Sequence, residues 1–339
     1  MNLTTFKCSL ETGSKKFRCP LCGQKTLVRY IDNELKEYLP EEVGRCDREN
    51  KCGYHLTPKQ YENDKGVSLW LNTGTIIKKP IEQPRPLNFI PLSLLEKSMK
   101  GYDQSHFAEY IIDLFGKEKG STLLLKYFIG RSKLHEAKAN IFWRIDVSQN
   151  VRTGKIMGYN PNTGKRNKDV LPTWVHALKD NNKNFLFPDF NYEMCFFGEH
   201  LLKEFPEKPT AICESEKTAI IASFFMPQFN WLATGGANGC KWREYSVYKV
   251  LKNKQVILFP DFGFYNRKTE KTCYQEWKER ADVIMDKIEC EITVSTVLEN
   301  SIPEAERIND FDLVDMLVKR DPKTGIALTD HGYPLIWDL

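Results

Sequence analysis

Four cysteines near the start of the chain have types and spacing that suit a metal. Cys19 and Cys22 form a Cys-x2-Cys pair followed by Gly23, and Cys46 and Cys52 come after a further 23 residues. A tight Cys-x2-Cys turn aims two thiolates at one cation, and the glycine permits the close turn. The second pair is looser, with His55 three residues beyond it. The fourth ligand is therefore Cys52 or His55, with Cys52 favoured. A four-ligand set of this kind is a structural zinc site, because no position stays open for substrate. Residues 26–31 (TLVRYI) read as one arm of a hairpin turning near Asp32 and Asn33, so the unit has the outline of a zinc ribbon. The other six cysteines show no pattern, and paired thiols without a disulfide framework indicate a reducing compartment.

A second group is acidic. Glu214 and Glu216, then Asp261, then Asp310 and Asp312 lie just beyond the ends of apolar segments far apart in the chain. Clustered carboxylates repel one another unless a cation sits among them, and hard oxygen ligands suit Mg²⁺ or Mn²⁺. Such an ion could polarise a phosphoryl group. The competing explanation is that acids favour helix N-termini.

The elements that must position these acids alternate. Residues 209–213 (PTAIC), 230–233 (NWLA), 255–259 (QVILF) and 291–297 read as strands, and 216–225, 242–251 and 270–288 as helices. That order predicts an α/β domain on a mostly parallel sheet, whose ligands bind beyond the carboxyl ends of the strands. A glycine-rich turn, residues 234–239, follows the second strand. It does not match the dinucleotide fingerprint, and the Lys217-Thr218 pair lacks the glycines of a phosphate-binding P-loop. Upstream, residues 105–115 and 121–128 carry helical apolar spacing. Residues 63–91 read as a proline- and glycine-bearing linker or extended arm.

Charge is uneven. The 339-residue chain has a net charge of +4, yet from Lys126 to Lys168 ten basic residues face two acidic ones, in company with Trp143, Tyr159 and Asn160. That mixture suits a nucleic-acid phosphate face. A mean hydropathy of −0.48 and the absence of a long apolar run argue against a membrane protein. The first residues lack the apolar core of a signal peptide. A cytoplasmic protein is the expectation.

The order strand–Glu214–helix–strand–glycine turn–helix–strand–Asp261 resembles the Toprim domain of bacterial-type primases and topoisomerases. Residues 140–146 (NIFWRID), 155–160 (KIMGYN) and 164–166 (GKR) look like the basic subdomain before Toprim in bacterial primases. Residues 196–202 (FFGEHLL) are similar to the glycine-containing helix start just ahead of it. With the ribbon, the order resembles that of small primase-like proteins of mobile elements and phages in Bacteroidetes-type bacteria. The resemblance implies a β zinc ribbon (1–62), a linker (63–91), a helical spacer and mixed α+β basic subdomain (92–205), and a Rossmann-like Toprim domain with an acidic C-terminal segment (206–339).

The family's chemistry is template-directed joining of ribonucleotides on single-stranded DNA. The resemblance implies Glu214 and Asp261 as magnesium ligands and catalytic groups, Asp310 or Asp312 as the downstream acidic pair, and Glu216 as a substitute acid. Arg144, Lys155, Lys165, Arg166 and Lys217 would line the path of nucleic acid and NTPs, and a helicase would act in trans. Two family carboxylates are missing, replaced by Gly263 and Thr218. Either the site holds fewer metals, or the domain is a non-catalytic DNA-binding platform of a replication or mobilisation accessory protein. A Toprim nuclease or topoisomerase-like enzyme fits less well, because the upstream basic stretch looks like a primase.

Overall fold

The computed structural model describes residues 7–69, 85–134, 138–169, 171–236 and 239–318, with backbone alone at 50 and 51. The chain divides into two units, Met1–Arg85 and Pro86–Leu339. In the first, β3 (Lys25–Asp32) is the central strand, pairing antiparallel with β1 (Cys8–Leu10), β2 (Phe17–Arg18) and β4 (Gly44–Cys46), while β5 (His55–Leu56) adds to β4. β3 ends in a turn set by Asp32, whose carboxylate accepts from the backbone N–H of Glu34 and Leu35. So small a sheet buries little, namely Leu27, Val28, Leu39 and Val43 beside Cys19 and Cys46. Stability must come from a bound metal as well as from this core.

Much of the expected linker, residues 70–84, lies outside the described residues. Its start instead completes a helix, Pro58–Lys65, opened by a Thr57–Gln60 capping box. Its end belongs to the second unit: Ile90 is buried and donates its N–H to Val151 O.

The second unit holds two main sheets. Helices His106–Phe115 and Lys117–Lys126 lead into an antiparallel sheet of β6 (Ile129–Ser132), β7 (Ala139–Ile145), β8 (Val151–Met157) and β9 (Thr173–Trp174), in that order. All seven residues of β7 are buried. Ile141, Trp143 and Ile145 pack on one side against Ile90 and Leu95, while Phe142 joins the core on the other. Trp143 therefore serves the interior, while the mostly buried Tyr159 packs in the core and borders the cleft described below.

The second sheet is parallel, with order β11 (Asn230–Ala233), β10 (Thr210–Cys213), β12 (Gln255–Phe259), β15 (Glu291–Val294). β10 and β11 are buried throughout, as strands covered on both faces must be. Helix Glu216–Phe225 is N-capped by Ser215 and lies in one core, and helix Cys273–Met285 contributes Trp277, Ala281 and Ile284 to the other. The expected helix over 242–251 is shorter, Tyr245–Tyr248 followed by a 3-10 turn. Before helix Cys273–Met285 the chain forms a hairpin, β13 (Phe264–Asn266) with β14 (Lys271–Thr272). No spacing signal marked it. The last strand stops at Val294, and Val297 starts a helix.

Candidate functional site

The four cysteines meet as their spacing predicts. Gly23, at φ 67°, closes the first turn by donating its N–H to Cys19 O at 2.9 Å. Cys46 ends β4, and Cys52 ends the short helix Glu49–Cys52. All four sulfurs lie within 4.8 Å of one another, with Cys19–Cys52 at 3.6 Å and Cys22–Cys46 at 4.0 Å. Tetrahedral zinc with Zn–S bonds of about 2.3 Å holds its sulfurs about 3.8 Å apart, so the set fits structural Zn²⁺. Arg48 N–H donates to Cys46 Sγ at 3.4 Å, as suits a thiolate. His55 is otherwise engaged, its Nε2 3.0 Å from Tyr30 Oη and its Nδ1 3.2 Å from Glu49. That resolves the choice of fourth ligand in favour of Cys52.

In the second unit, acids gather at the carboxyl edge of the parallel sheet. Phe262 N–H donates to Phe311 O at 2.7 Å, which sets residues 261–263 beside 310–312. Burial holds the Asp261 carboxyl well above the usual range, and repulsion from Glu214 and Asp312 adds to it, against a partial offset from Lys217. Glu214 is raised too, by burial and by Asp310 and Asp312, although Lys155 and Arg280 oppose this. These groups share one electrostatic neighbourhood. Their oxygens do not converge as the sulfurs do: among the described residues, only the cysteines bring three or more ligand atoms within 4.8 Å.

Asp310 and Asp312 have further duties. Asp310 takes a left-handed backbone, φ 53°, and its carboxylate accepts from Arg267 at 2.6 Å. It also lies against Gly263, where an added Cβ would come within 2.5 Å of Asp310 Oδ1. Asp312 N-caps helix Leu313–Leu317, accepting from the N–H of Val314 and Asp315. Lys217 Nζ stands 3.4 Å from Asp312.

The cation side is divided. Lys155, Arg166, Lys217, Glu214, Gly235 and Asp312 line one cleft of ≈ 230 Å³. Lys165 is exposed beside it in sequence. Arg144, expected on the nucleic-acid path, is fully buried, and its guanidinium donates to Glu216 at 2.7 Å and to Ala233 O at 2.9 Å. Glu216, expected as a substitute acid, is buried as well. Burial alone would raise its carboxyl, but Lys155 and Arg144 hold it below the usual value. These two side chains tie β7 to the glycine turn, with Glu216 at the floor of the cleft beside Lys155. The clue in the sequence was a lone charge, Arg144, inside a mostly apolar strand, which demands a buried partner. Arg280, which helps to offset Glu214, carried no such signal.

Residues 6–67 match the model of a zinc beta-ribbon finger family, and residues 105–262 match a domain of unknown function (DUF6371). Among solved structures, the chain is similar to the primase fragment of the bacteriophage T7 primase-helicase protein. That match has 13% identity and a TM-score of 0.37, and it covers 83% of this chain and 88% of that one. It is also similar to the zinc-binding and RNA polymerase domains of the Aquifex aeolicus primase. There the identity is 12% and the TM-score 0.31, covering 84% of this chain and 73% of that one. No curated protein matches it.

Proposed function

We propose that the chain is a primase-like nucleotidyltransferase that joins ribonucleotides on single-stranded DNA at the carboxyl edge of its parallel sheet. The observation that carries this is the placing of Glu214 and Asp312 in one cleft with Lys155, Arg166 and Lys217, next to the buried Asp261, with the Glu214 and Asp261 carboxyls both raised by burial and neighbouring acids. Raised, buried carboxyls at Glu214 and Asp261 would be relieved by a cation, and the facing lysines and arginine suit phosphates. The order of modules in the sequence supports the same reading, with a Toprim-like domain last and the ribbon contacting template.

Glu214 and Asp261 would hold Mg²⁺ or Mn²⁺, which usually binds one or two carboxylates together with substrate phosphates. That habit makes a convergent triad unnecessary. The ion, when bound, stabilises charge building on the transferred phosphoryl group. In the reaction, a 3′-hydroxyl oxygen bonds to the α-phosphorus of an NTP. The bond from that phosphorus to the pyrophosphate oxygen breaks, and the hydroxyl proton is lost to solvent or a carboxylate. Lys155, Arg166 and Lys217 would orient the triphosphate, with Lys165 on the approach. Asp312 and Asp310 would position the edge rather than react. A helicase would act in trans.

A second reading is a non-catalytic DNA-binding accessory protein. It is favoured by Gly263 and Thr218, which leave two positions without a carboxylate, and by Asp310 filling the space beside Gly263. Template-dependent incorporation of labelled NTPs into oligonucleotides decides between the two.

A further inference from the structure

The β9 edge of the antiparallel sheet carries aromatic side chains that the cleft does not use. In the β8–β9 register, Trp174 is the cross-strand partner of Lys155. Directly paired residues share a face, so Trp174 lies beside the lysine that lines the cleft. Two residues along the same face of β8, the Thr153 hydroxyl meets His176 Nδ1 at 2.7 Å and fixes that ring. From there the rings continue. Trp174 and His176 are stacked at 6.2 Å, His176 and Tyr192 lie 4.2 Å apart, and His176 and Phe190 are 5.9 Å apart with planes only 7° from parallel. Phe187 meets Phe190 at 5.6 Å.

These five rings are half-buried, and Phe187 and Phe190 rest on the core beneath the sheet, so the platform is anchored on one side. Burial lowers the His176 pKa, which favours the neutral ring. Phe185 is 53% exposed, with Lys179 Nζ 4.5 Å over its face. Between Val151 and Tyr192 the chain carries seven lysines and arginines against three aspartates. One of those, Asp180, is spent within its own turn on the N–H of Asn182 and Asn184.

We infer that Trp174, His176 and Tyr192 form a stacking platform for unpaired bases of a single-stranded nucleic acid leaving the cleft beside Lys155. The solvent-facing parts of these half-buried rings offer π-surface to unpaired bases, and the surrounding cations match the phosphates. A duplex keeps its bases stacked inside and has no use for such rings. The inference rests on the proposed function, since it adds a route to the same cleft.

The test uses the full chain and a fluorescent single strand, either intact or abasic, titrated over a range of salt. A second strand carrying 5-iodouracil is photo-crosslinked and the adduct mapped. Trp174→Ala is expected to weaken binding of the intact strand by about 5- to 100-fold without changing the salt slope. It should leave the abasic strand unaffected, and Trp174→Phe, which keeps a ring, should recover most of the loss. Crosslinks should fall on Trp174 or Tyr192. Binding of the intact strand within twofold of wild type, with crosslinks elsewhere, overturns the platform and leaves the cleft reading standing. Failure of the wild type to bind any strand overturns both.

Discussion

Arg144 donates to Glu216 at 2.7 Å with both side chains almost completely out of solvent. The same guanidinium holds the carbonyl of Ala233, and Lys155 holds that of Gly235 at 2.8 Å. One buried ion pair thus fastens the antiparallel sheet to the glycine turn at the edge of the cleft.

Removing one partner should expose the cost of the other. Arg144→Ala is expected to destabilise the protein by about 3 kcal/mol in denaturant unfolding, because it leaves the buried Glu216 with Lys155 as its remaining charged partner and the Ala233 carbonyl without its donor. An Arg144→Met, Glu216→Met double variant should recover most of that loss. If the double variant is as unstable as the sum of the single variants, the pair is not the coupling element.

Gly235 should tolerate no side chain. Its φ is 84°, and a Cβ there would run into the Arg144 guanidinium and lie 2.7 Å from Glu216 Oε1. Gly235→Ala is expected to cost about 2–4 kcal/mol, from left-handed backbone strain together with overpacking. Thermal unfolding beside Gly236→Ala gives the comparison, since Gly236 also has a positive φ but, among the described residues, no atom lies within 4 Å of a Cβ there.

The zinc site makes its own demand. Purified protein should contain one zinc per chain, and Cys52→Ser should lose it while His55→Ala keeps it. Chelation should unfold the first unit, because metal binding and folding are linked there. Metal analysis with circular dichroism checks this, and a zinc-free Cys52→Ser protein with an unchanged spectrum would contradict it.

Much of this was legible in the chain and some was not. Spacing picked out Cys19, Cys22 and Cys46 and left Cys52 favoured over His55 as the fourth ligand, because a metal imposes strict geometry on few residues. The strand ends bearing Glu214 and Asp261 were legible because parallel strands are short apolar runs with abrupt ends. Arg144 was expected on the nucleic-acid path and Glu216 as a substitute acid, yet the two pair with each other in the interior. Which charges turn inward is settled by tertiary pairing, and no local pattern records it. The β13–β14 hairpin escaped for a similar reason: each strand is only two or three residues long. Asp310 could be flagged as acidic, but its contact with Gly263 depends on a bridge between residues nearly fifty positions apart.

The acidic edge predicts a pH response. The Asp261 carboxyl is held well above its usual value by burial and by Glu214 and Asp312. The folded state therefore binds this proton more tightly than the unfolded state does. Its contribution is fully present below about pH 4 and is lost as pH rises through the raised pKa. In chelator, the melting temperature should fall across that window, and Asp261→Asn should flatten the fall. Mg²⁺ or Mn²⁺ at neutral pH should raise the melting temperature of the wild type and leave that of Asp261→Asn nearly unchanged. Equal shifts for both proteins would place the ion elsewhere.

The most direct measurement is primer synthesis on short single-stranded DNA templates, with labelled NTPs and Mg²⁺ or Mn²⁺. Glu214→Ala and Asp261→Ala are run beside the wild type, and zinc content and DNA binding are verified for each protein. Template-dependent oligoribonucleotides from the wild type, reduced at least a hundredfold in either variant, are the expected result; such a loss corresponds to about 3 kcal/mol of transition-state stabilisation. No product from zinc-loaded, DNA-binding wild type with either metal would contradict nucleotidyl transfer and leave a DNA-binding accessory protein.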